Sequence, residues 1–133
     1  TGVQTCALPI LEASVSAWVA VNEQIALGRG PEFQIGHGVL MSDVKPQTLG
    51  LNEALGTLCV GWAKIRTHVE EVFFGDTRGI AAALNVLDGP AFNPFKLTET
   101  TFADDLRFRL EGPTNFDEDN IYGVLRAFAN PRE

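Results

Sequence analysis

The sequence predicts a mainly α fold, a helical bundle with a small β-hairpin near residues 95–111. Apolar residues over 51–74 recur at alternating four- and three-residue steps, which is typical of one face of a long helix. A similar repeat over residues 11–25 predicts a helix near the start of the chain. Between residues 105 and 111 the apolar spacing falls to every second residue, which predicts a half-buried strand.

The first predicted helix places five apolar residues on one face: Leu11, Val15, Trp18, Val21 and Ile25. Gly28 and Gly30-Pro31 predict its end, because glycine and proline terminate helices. Phe33–Met41, with two glycines around a histidine, is predicted to be a loop that opens into a short helix. Lys45–Gly50 contains a proline and is predicted to be a connector.

The helix predicted over Leu51–Phe74 is about 36 Å long at ~1.5 Å per residue. Its apolar stripe consists of Leu51, Leu55, Leu58, Trp62, Ile65, Val69 and Val72. Gly75 predicts its end, and Asp76 or Thr77 is expected to cap a following helix that continues through Leu87. The side chains expected to face inward from that helix are Ile80, Leu84 and Leu87.

The alternating strand is expected to pair with Phe95–Phe102 as a hairpin that ends at Gly112-Pro113. Asp117 is predicted to cap the last helix, with Glu118 and Asp119 in its first turn, where the helix dipole favours negative charge. The inner face of that helix is expected to carry Ile121, Val124, Leu125 and Phe128.

The first ten residues, TGVQTCALPI, stand apart from the rest of the sequence. The segment resembles the conceptual translation of a short-read sequencing adapter, and segments of this kind are set aside in fold reasoning. Residues 1–10 are therefore expected to form a frayed tail, and residues 11–130 to form one domain of a longer protein.

Charge and composition exclude several classes of protein for this segment. The net charge of -7 argues against direct nucleic-acid binding, since phosphate-binding surfaces are strongly basic. No apolar run approaches the roughly 20 residues that cross a bilayer, so no membrane partner is expected. Cys59 stands alone once Cys6 of the tail is set aside, which suits a reducing compartment, and the expected location is cytoplasmic.

Motifs for catalysis and metal binding are absent from the sequence, which has no GxxxxGK[ST] loop, HExxH or CxxC. No catalytic residue and no metal ligand is therefore predicted. His37 lies between two glycines, and a helix opening at Gly38 would place it at a positive N-terminus, where anions bind. The alternative is a polar turn residue satisfied by the backbone. His68, near Glu70 and Glu71, is expected on a solvated helix face.

The order of these pieces resembles the C-terminal lid of McrB-type AAA+ nucleotidases, the motor subunits of modification-dependent restriction systems. Asn22 and Ile25 match the family's N-x-x-I helix pattern, and Ile35, Gly36 and His37 match its IGHSYF-like motif. A second group falls in register with the family's long helix and its end: Trp62, Ile65, Val69, Glu70, Glu71, Phe73, Gly75 and Asp76. Leu125, Ala127 and Phe128 are similar to its last helix, whereas Pro94–Gly112 has no counterpart.

The resemblance implies an AAA+ lid-like fold in which Gly36 and His37 contact nucleotide, in the region of the second sensor. It implies no cofactor in this fragment, and GTP or ATP with magnesium in the full-length parent. The phosphate loop, the magnesium carboxylates and the arginine finger would lie in a larger α/β subdomain before Leu11. Further implied partners are neighbouring copies in a homo-oligomeric ring and a nuclease subunit.

Two other hypotheses remain at this point. A stand-alone helical interaction module would bind a partner through the Leu51–Val72 stripe. A small hydrolase using His37 and His68 is disfavoured, because neither a nucleophile motif nor a set of metal ligands accompanies them.

Overall fold

The structure is a computed structural model that describes residues 8–36, 51–87, 89–113, 115–117 and 119–131. The helices are α1 (Leu8–Gly28), α2 (Leu51–Val72), α3 (Thr77–Ala83) and α4 (Ile121–Ala129), with a short 3-10 turn at Pro31–Phe33. Strands β1 (Lys96–Phe102) and β2 (Asp105–Glu111) form an antiparallel hairpin. The predicted fold class, mainly helical with a hairpin near residues 95–111, is confirmed. Within the described parts of the chain, no helix is both long enough and apolar enough to cross a membrane.

The core forms around the predicted stripe of α2. Leu58, Trp62, Ile65 and Val69 are all buried, with Trp62 only 1% exposed. The Trp62 indole N–H donates to the Ser14 hydroxyl at 3.0 Å, and its ring lies 5.7 Å from that of Phe128. The sequence predicts that Trp62 is buried against the first helix and the Ile80–Leu87 helix. Its burial and its contact with α1 are confirmed, and its ring contact joins α2 to the last helix.

Helix α1 begins earlier than the sequence predicted. It starts at Leu8, and Ile10 is 3% exposed within the core. For residues 8–10 this differs from the expectation that residues 1–10 form a frayed tail, and residues 1–7 lie outside the described part of the chain. The chain continues from Leu11 as one helix, so its first turns place Ile10 beside core residues whatever the origin of the segment.

One residue of the predicted α1 face is on the wrong side of the helix. Val15 is 56% exposed, whereas Ser14 is buried because its hydroxyl accepts the Trp62 hydrogen bond. Adjacent helical residues point about 100° apart, so turning Ser14 inward turns Val15 toward solvent. The prediction for Val15 failed because the polar residue Ser14 takes the core position that the apolar repeat assigned to Val15.

The corner between α2 and α3 depends on Asp76, one of the two predicted caps, which accepts a hydrogen bond from the Gly79 N–H at 3.0 Å. The predicted extension of α3 through Leu87 is wrong, because the helix ends at Ala83. Asn85 takes a left-handed φ of 60°, and its buried side-chain amide donates to the carbonyl oxygens of Ala127 and Asn130. This contact with the last helix ends α3, and Leu87 lies exposed beyond it.

The cap of α4 also differs from the prediction. Asn120 rather than Asp117 occupies the N-cap position, and the helix begins at Ile121. The Asp117 carboxylate instead accepts from the backbone N–H groups of Asp119 and Asn120 at 2.9 and 3.0 Å. Aspartate favours this local turn as readily as a cap, and the turn precedes the helix here. The predicted inner face of Ile121, Val124, Leu125 and Phe128 is confirmed as buried.

The hairpin is joined to the core at its base and exposed along its length. Phe95, just before β1, is buried with its ring 6.0 Å from that of Phe128. Phe108 and Leu110 are half-buried, as predicted, but Leu106 is 58% exposed. The strands extend beyond the helices at this end, so the alternating pattern no longer marks a buried face near the turn.

Candidate functional site

The loop that follows α1 is fixed to that helix at Ile35. The Asn22 side-chain amide donates to the Ile35 carbonyl oxygen at 2.9 Å and accepts from the Ile35 N–H at 2.7 Å. The Trp18 indole N–H donates to the same carbonyl at 2.8 Å. Trp18 and Asn22 lie four residues apart on one helix face, so both reach Ile35. Ile35 is therefore held by three hydrogen bonds with its side chain buried.

Gly36 directly follows this anchored position and is exposed. A Cβ atom added to Gly36 would meet none of the described residues within 4 Å. The predicted nucleotide-contacting pair is thus described in part, since Gly36 is exposed at the edge of the fold and His37 lies outside the described residues. The backbone at Gly36 is positioned by the hydrogen bonds of the residue before it.

A cavity of about 380 Å³ adjoins Gly36 and is bounded on its other side by α2. From the loop it is lined by Gln34, Ile35 and Gly36, and from the helix by Lys64, Ile65, Thr67, His68 and Glu71. Its volume lies within the ~300–1,000 Å³ of sites that bind small molecules. The apolar floor at Ile35 and Ile65, with polar groups at the rim, is the usual construction of such sites.

His68 takes part in positioning this cavity, which its sequence context did not indicate. Its Nε2 lies 2.7 Å from the Phe33 carbonyl oxygen. A carbonyl only accepts, so Nε2 carries the hydrogen, and in the neutral ring Nδ1 remains an acceptor. His68 is partly exposed on the helix face, as interpreted from the sequence, and its ring in addition ties α2 to the loop before Gly36.

Charged groups at the cavity are balanced. Lys64 contributes a cation and Glu71 an anion, and both are exposed. Glu70, the neighbour of Glu71, points elsewhere and pairs with Arg66 at 3.1 Å. The carboxylates of Glu70 and Glu71 therefore face different surroundings, because adjacent residues on a helix point in different directions. Lys64 and His68, four residues apart, place one ammonium donor and one imidazole, whose Nδ1 can accept, on the face that meets Gly36.

The cavity offers groups that can bind a small molecule. Within the described ranges, no cluster of three or more histidine, cysteine, aspartate or glutamate side chains could hold a metal ion. The cavity offers the Gly36 backbone, one ammonium and one imidazole around an apolar floor. Sequence reasoning found the Gly36 end through its glycine-rich motif but missed Lys64 and His68. Their four-residue spacing could have marked them, although nothing in the sequence showed which loop they face.

Comparison with known proteins adds nothing to this site. No protein-family model, no curated protein and no solved structure shows a significant match to the chain.

Proposed function

We propose that this chain is the C-terminal lid of a McrB-like AAA+ GTPase or ATPase that powers restriction of modified DNA. In this role the chain is inactive alone, and Gly36 and His37 contact nucleotide held by a preceding subdomain. The ring-forming copies and the nuclease subunit implied by the family belong to the same proposal, as does a cytoplasmic location.

The contact of Asn22 with Ile35 is the observation that carries this proposal. Asn22 belongs to the first matching motif and Ile35-Gly36 to the second, 13 residues later. The two motifs meet through reciprocal hydrogen bonds, and the product of that contact is an anchored, accessible Gly36 beside a cavity. Residues that match a family's motifs and serve one local geometry support the resemblance better than scattered matches do.

A second line of support comes from the end of α2, where Gly75 and Asp76 match the family pattern. Gly75 has φ 80°, which glycine adopts without strain, and Asp76 caps the next helix. Arg29, at the end of α1, donates to the Val72 carbonyl at 3.0 Å and approaches the Asp76 carboxylate at 3.5 Å. The matched residues thus build the corner that ties the two long helices together.

The alternative, an interaction module acting through the Leu51–Val72 stripe, is disfavoured by burial. Leu58, Trp62, Ile65 and Val69 are packed against the chain's own helices. A partner could reach this stripe only by opening the core.

The test begins with the coding sequence upstream of Leu11. We expect it to encode a phosphate-binding loop and magnesium-binding carboxylates, and a reading frame without them contradicts the proposal. In the restored parent, we expect Asn22→Ala to weaken GTP or ATP binding by about tenfold, because roughly 1.4 kcal/mol of lost loop anchoring is a factor of ten. Ser16→Ala, on an exposed turn of the same helix, is the matched control. Equal nucleotide affinity in the two folded variants contradicts a role for the anchored loop.

A further inference from the structure

One edge of the hairpin carries backbone groups that the other strand does not use. Ala103 and Asp104 both have left-handed φ, of 52° and 68°, so the strands are joined by a two-residue type I′ turn. The residues that flank such a turn, Phe102 and Asp105, form a hydrogen-bonded pair, and bonded and open pairs then alternate along the strands. In open pairs the backbone N–H and C=O groups point outward. On β2 these groups, which we call the β2 edge, belong to Leu106, Phe108 and Leu110.

The β2 edge has no backbone partner among the described residues. Outside the regular helices and strands, the backbone hydrogen bonds of those residues include none to Leu106, Phe108 or Leu110. Helix α3 meets the hairpin through a side chain, since the Arg78 guanidinium lies 5.5 Å from the Phe108 ring. An unpaired row of outward groups is a template onto which an extended segment can add as a third strand.

The side chains of β2 determine what an added strand should carry. Leu106 is 58% exposed, and Phe108 and Leu110 are half-buried, so a neighbouring strand can still cover apolar surface on this face. Arg107 and Arg109 lie on the other face. Residues opposite one another on adjacent strands stabilise a sheet when both are apolar or when their charges are opposite. The β2 edge therefore favours a strand in which apolar and acidic residues alternate.

Both arginines are available to such a strand. Arg107 lies 3.7 Å from Asp105, and Arg109 lies 4.0 Å from Glu111, with all four side chains more than half exposed. Exposed pairs of this kind contribute little, and each guanidinium has five N–H donors, so both can also bind a carboxylate. The chain's net charge of -7 opposes an acidic ligand at long range. Salt screens exposed charges beyond about 10 Å at 0.1 M, so the adjacent arginines have the larger effect.

The other edge of the hairpin is less suited to strand addition. The outward groups of β1 belong to Leu97, Glu99 and Thr101, of which only the first is apolar. Glu99 is exposed, and a charged side chain on an edge strand opposes the addition of another strand.

A second copy of the β2 edge is also a poor occupant. Two β2 strands that pair antiparallel over their full length place Arg107 of one against Arg109 of the other. The same register places Asp105 against Glu111. Parallel pairing in register places each charge against itself. Like charges directly opposite one another destabilise a sheet, so the occupant that fits is a segment of different sequence.

We infer that the β2 edge binds an extended segment of another protein that reads apolar, acidic, apolar, acidic, apolar. Its backbone bonds to Leu106, Phe108 and Leu110, its apolar side chains pack beside theirs, and its two carboxylates meet Arg107 and Arg109. Main-chain hydrogen bonds supply affinity in this mode, and alternate side chains supply specificity. The cavity at Gly36 has no hairpin residue in its lining, and the β2 edge needs no nucleotide. The inference therefore stands or fails separately from the proposed lid function.

The first test is a titration of a fluorescently labelled peptide, GSVEVEVSG, with the purified chain, followed by anisotropy. We expect saturable binding that weakens in high salt, because exposed charge pairs are screened. The matched control is GSEEVVVSG, which has the same composition without the alternation. It should bind about tenfold more weakly or worse.

The second test removes one outward N–H from each edge in turn. Proline lacks the N–H, and at an outward position it removes no hydrogen bond between the two strands. Leu106→Pro should weaken binding of GSVEVEVSG by about tenfold or more. Thr101→Pro is the matched control and should leave binding unchanged, because Thr101 lies opposite Leu106 and its N–H points to the other edge.

The third test exchanges the charges, and it decides if a proline variant does not fold. The variant with Arg107→Glu and Arg109→Glu should lose binding of GSVEVEVSG and bind GSVKVKVSG instead. It should prefer that peptide to the segregated GSKKVVVSG, which controls for general attraction between opposite charges. Both substitutions are at exposed positions, and circular dichroism establishes that the variant is folded.

Hydrogen exchange of the peptide complex locates the contact. We expect protection at the amides of Leu106, Phe108 and Leu110 and none at the amide of Thr101. Protection confined to other amides overturns the inference, as does protection of the β2 edge that rises with protein concentration in the absence of peptide. So does an absence of saturable binding up to about 1 mM peptide. Equal binding of alternating and segregated peptides, or equal binding to folded Leu106→Pro and Thr101→Pro, overturns it as well.

Discussion

Asn22 and Ile35 are joined by a reciprocal pair of hydrogen bonds, in which one side-chain amide satisfies both backbone groups of one residue. This arrangement fixes the direction in which the chain leaves α1. It also explains why Asn22, a polar residue, lies at a buried position of a mostly apolar helix face. The Asn22 amide can be buried without loss of stability because its hydrogen bonds to Ile35 are made. A buried polar group without a partner would be costly.

The first prediction concerns this pair. Asn22→Ala leaves the Ile35 N–H without its partner, while the carbonyl keeps its bond from Trp18. We expect the free energy of unfolding to fall by about 1–3 kcal/mol, the cost of an unsatisfied buried donor. Urea denaturation measures the loss, with exposed Ser16→Ala changing stability by less than ~0.5 kcal/mol. Equal stability of the two variants contradicts the assigned role of Asn22.

The second prediction concerns the approach of α3 to Phe73. A Cβ atom at Gly79 would lie 2.6 Å from Phe73 Cδ1 and 2.7 Å from Asp76 Oδ2. The ring cannot move away easily, because it is buried and a Cβ at Gly28 would also fall 2.7 Å from it. We therefore expect Gly79→Ala to destabilise the chain by about 1–3 kcal/mol, as overpacking does.

Gly123 in α4 is the matched control for Gly79, since a Cβ atom there meets none of the described residues within 4 Å. Gly123→Ala should stabilise the chain by about 0.5–1 kcal/mol, because alanine loses less backbone entropy in a helix. The two substitutions are chemically identical, so thermal unfolding should show opposite signs. A shift of the same sign in both would mean that packing at Phe73 does not limit Gly79.

The third prediction concerns the start of α1. Ile10 is buried in the core cluster, so Ile10→Ala should cost about 2–5 kcal/mol, as other large-to-small core substitutions do. Leu27→Ala, at a position that is largely exposed near the other end of the helix, should change stability by less than ~0.5 kcal/mol. Chemical denaturation of the two variants makes the comparison. A loss below about 1 kcal/mol for Ile10→Ala would restore the boundary predicted at Leu11.

The sequence predicted those parts of the fold that depend on regular spacing. The central α2 stripe from Leu58 to Val69 and the hairpin were predicted correctly, because period alone determines which side chains share a face. The errors at Val15 and Leu87 arose where a polar residue has a structural role that spacing does not reveal. Ser14 bonds to Trp62, and Asn85 bonds to α4, and neither partner is near in sequence.

The candidate site, like the fold, could be predicted from the sequence only in part. The glycine-rich motif indicated Gly36, since unusual local composition is visible in a sequence. Lys64 and His68 became candidates only when α2 was placed against the loop at Phe33 and Gln34. That placement depends on the Asn22–Ile35 and His68–Phe33 contacts, which join residues 13 and 35 positions apart. Long-range pairs of this kind cannot be read from one sequence by periodicity.

The last prediction concerns the turn of the hairpin. Ala103 and Asp104 both have left-handed backbone, with φ of 52° and 68°, which is the conformation of a two-residue type I′ turn. Left-handed backbone costs a residue with a Cβ atom about 1–2 kcal/mol, whereas glycine adopts it without strain. Asparagine tolerates this conformation better than alanine does. Replacing the pair by Ala103→Asn with Asp104→Gly should therefore stabilise the hairpin. Hydrogen exchange at the amides of β1 and β2 should slow by about tenfold, the equivalent of ~1.4 kcal/mol, if opening of the hairpin governs exchange.

Ala103→Val should do the opposite, because a β-branched residue is strained at positive φ. Exchange rates that are equal in all three turns would show that the hairpin is held by Phe95 and its base rather than by its turn.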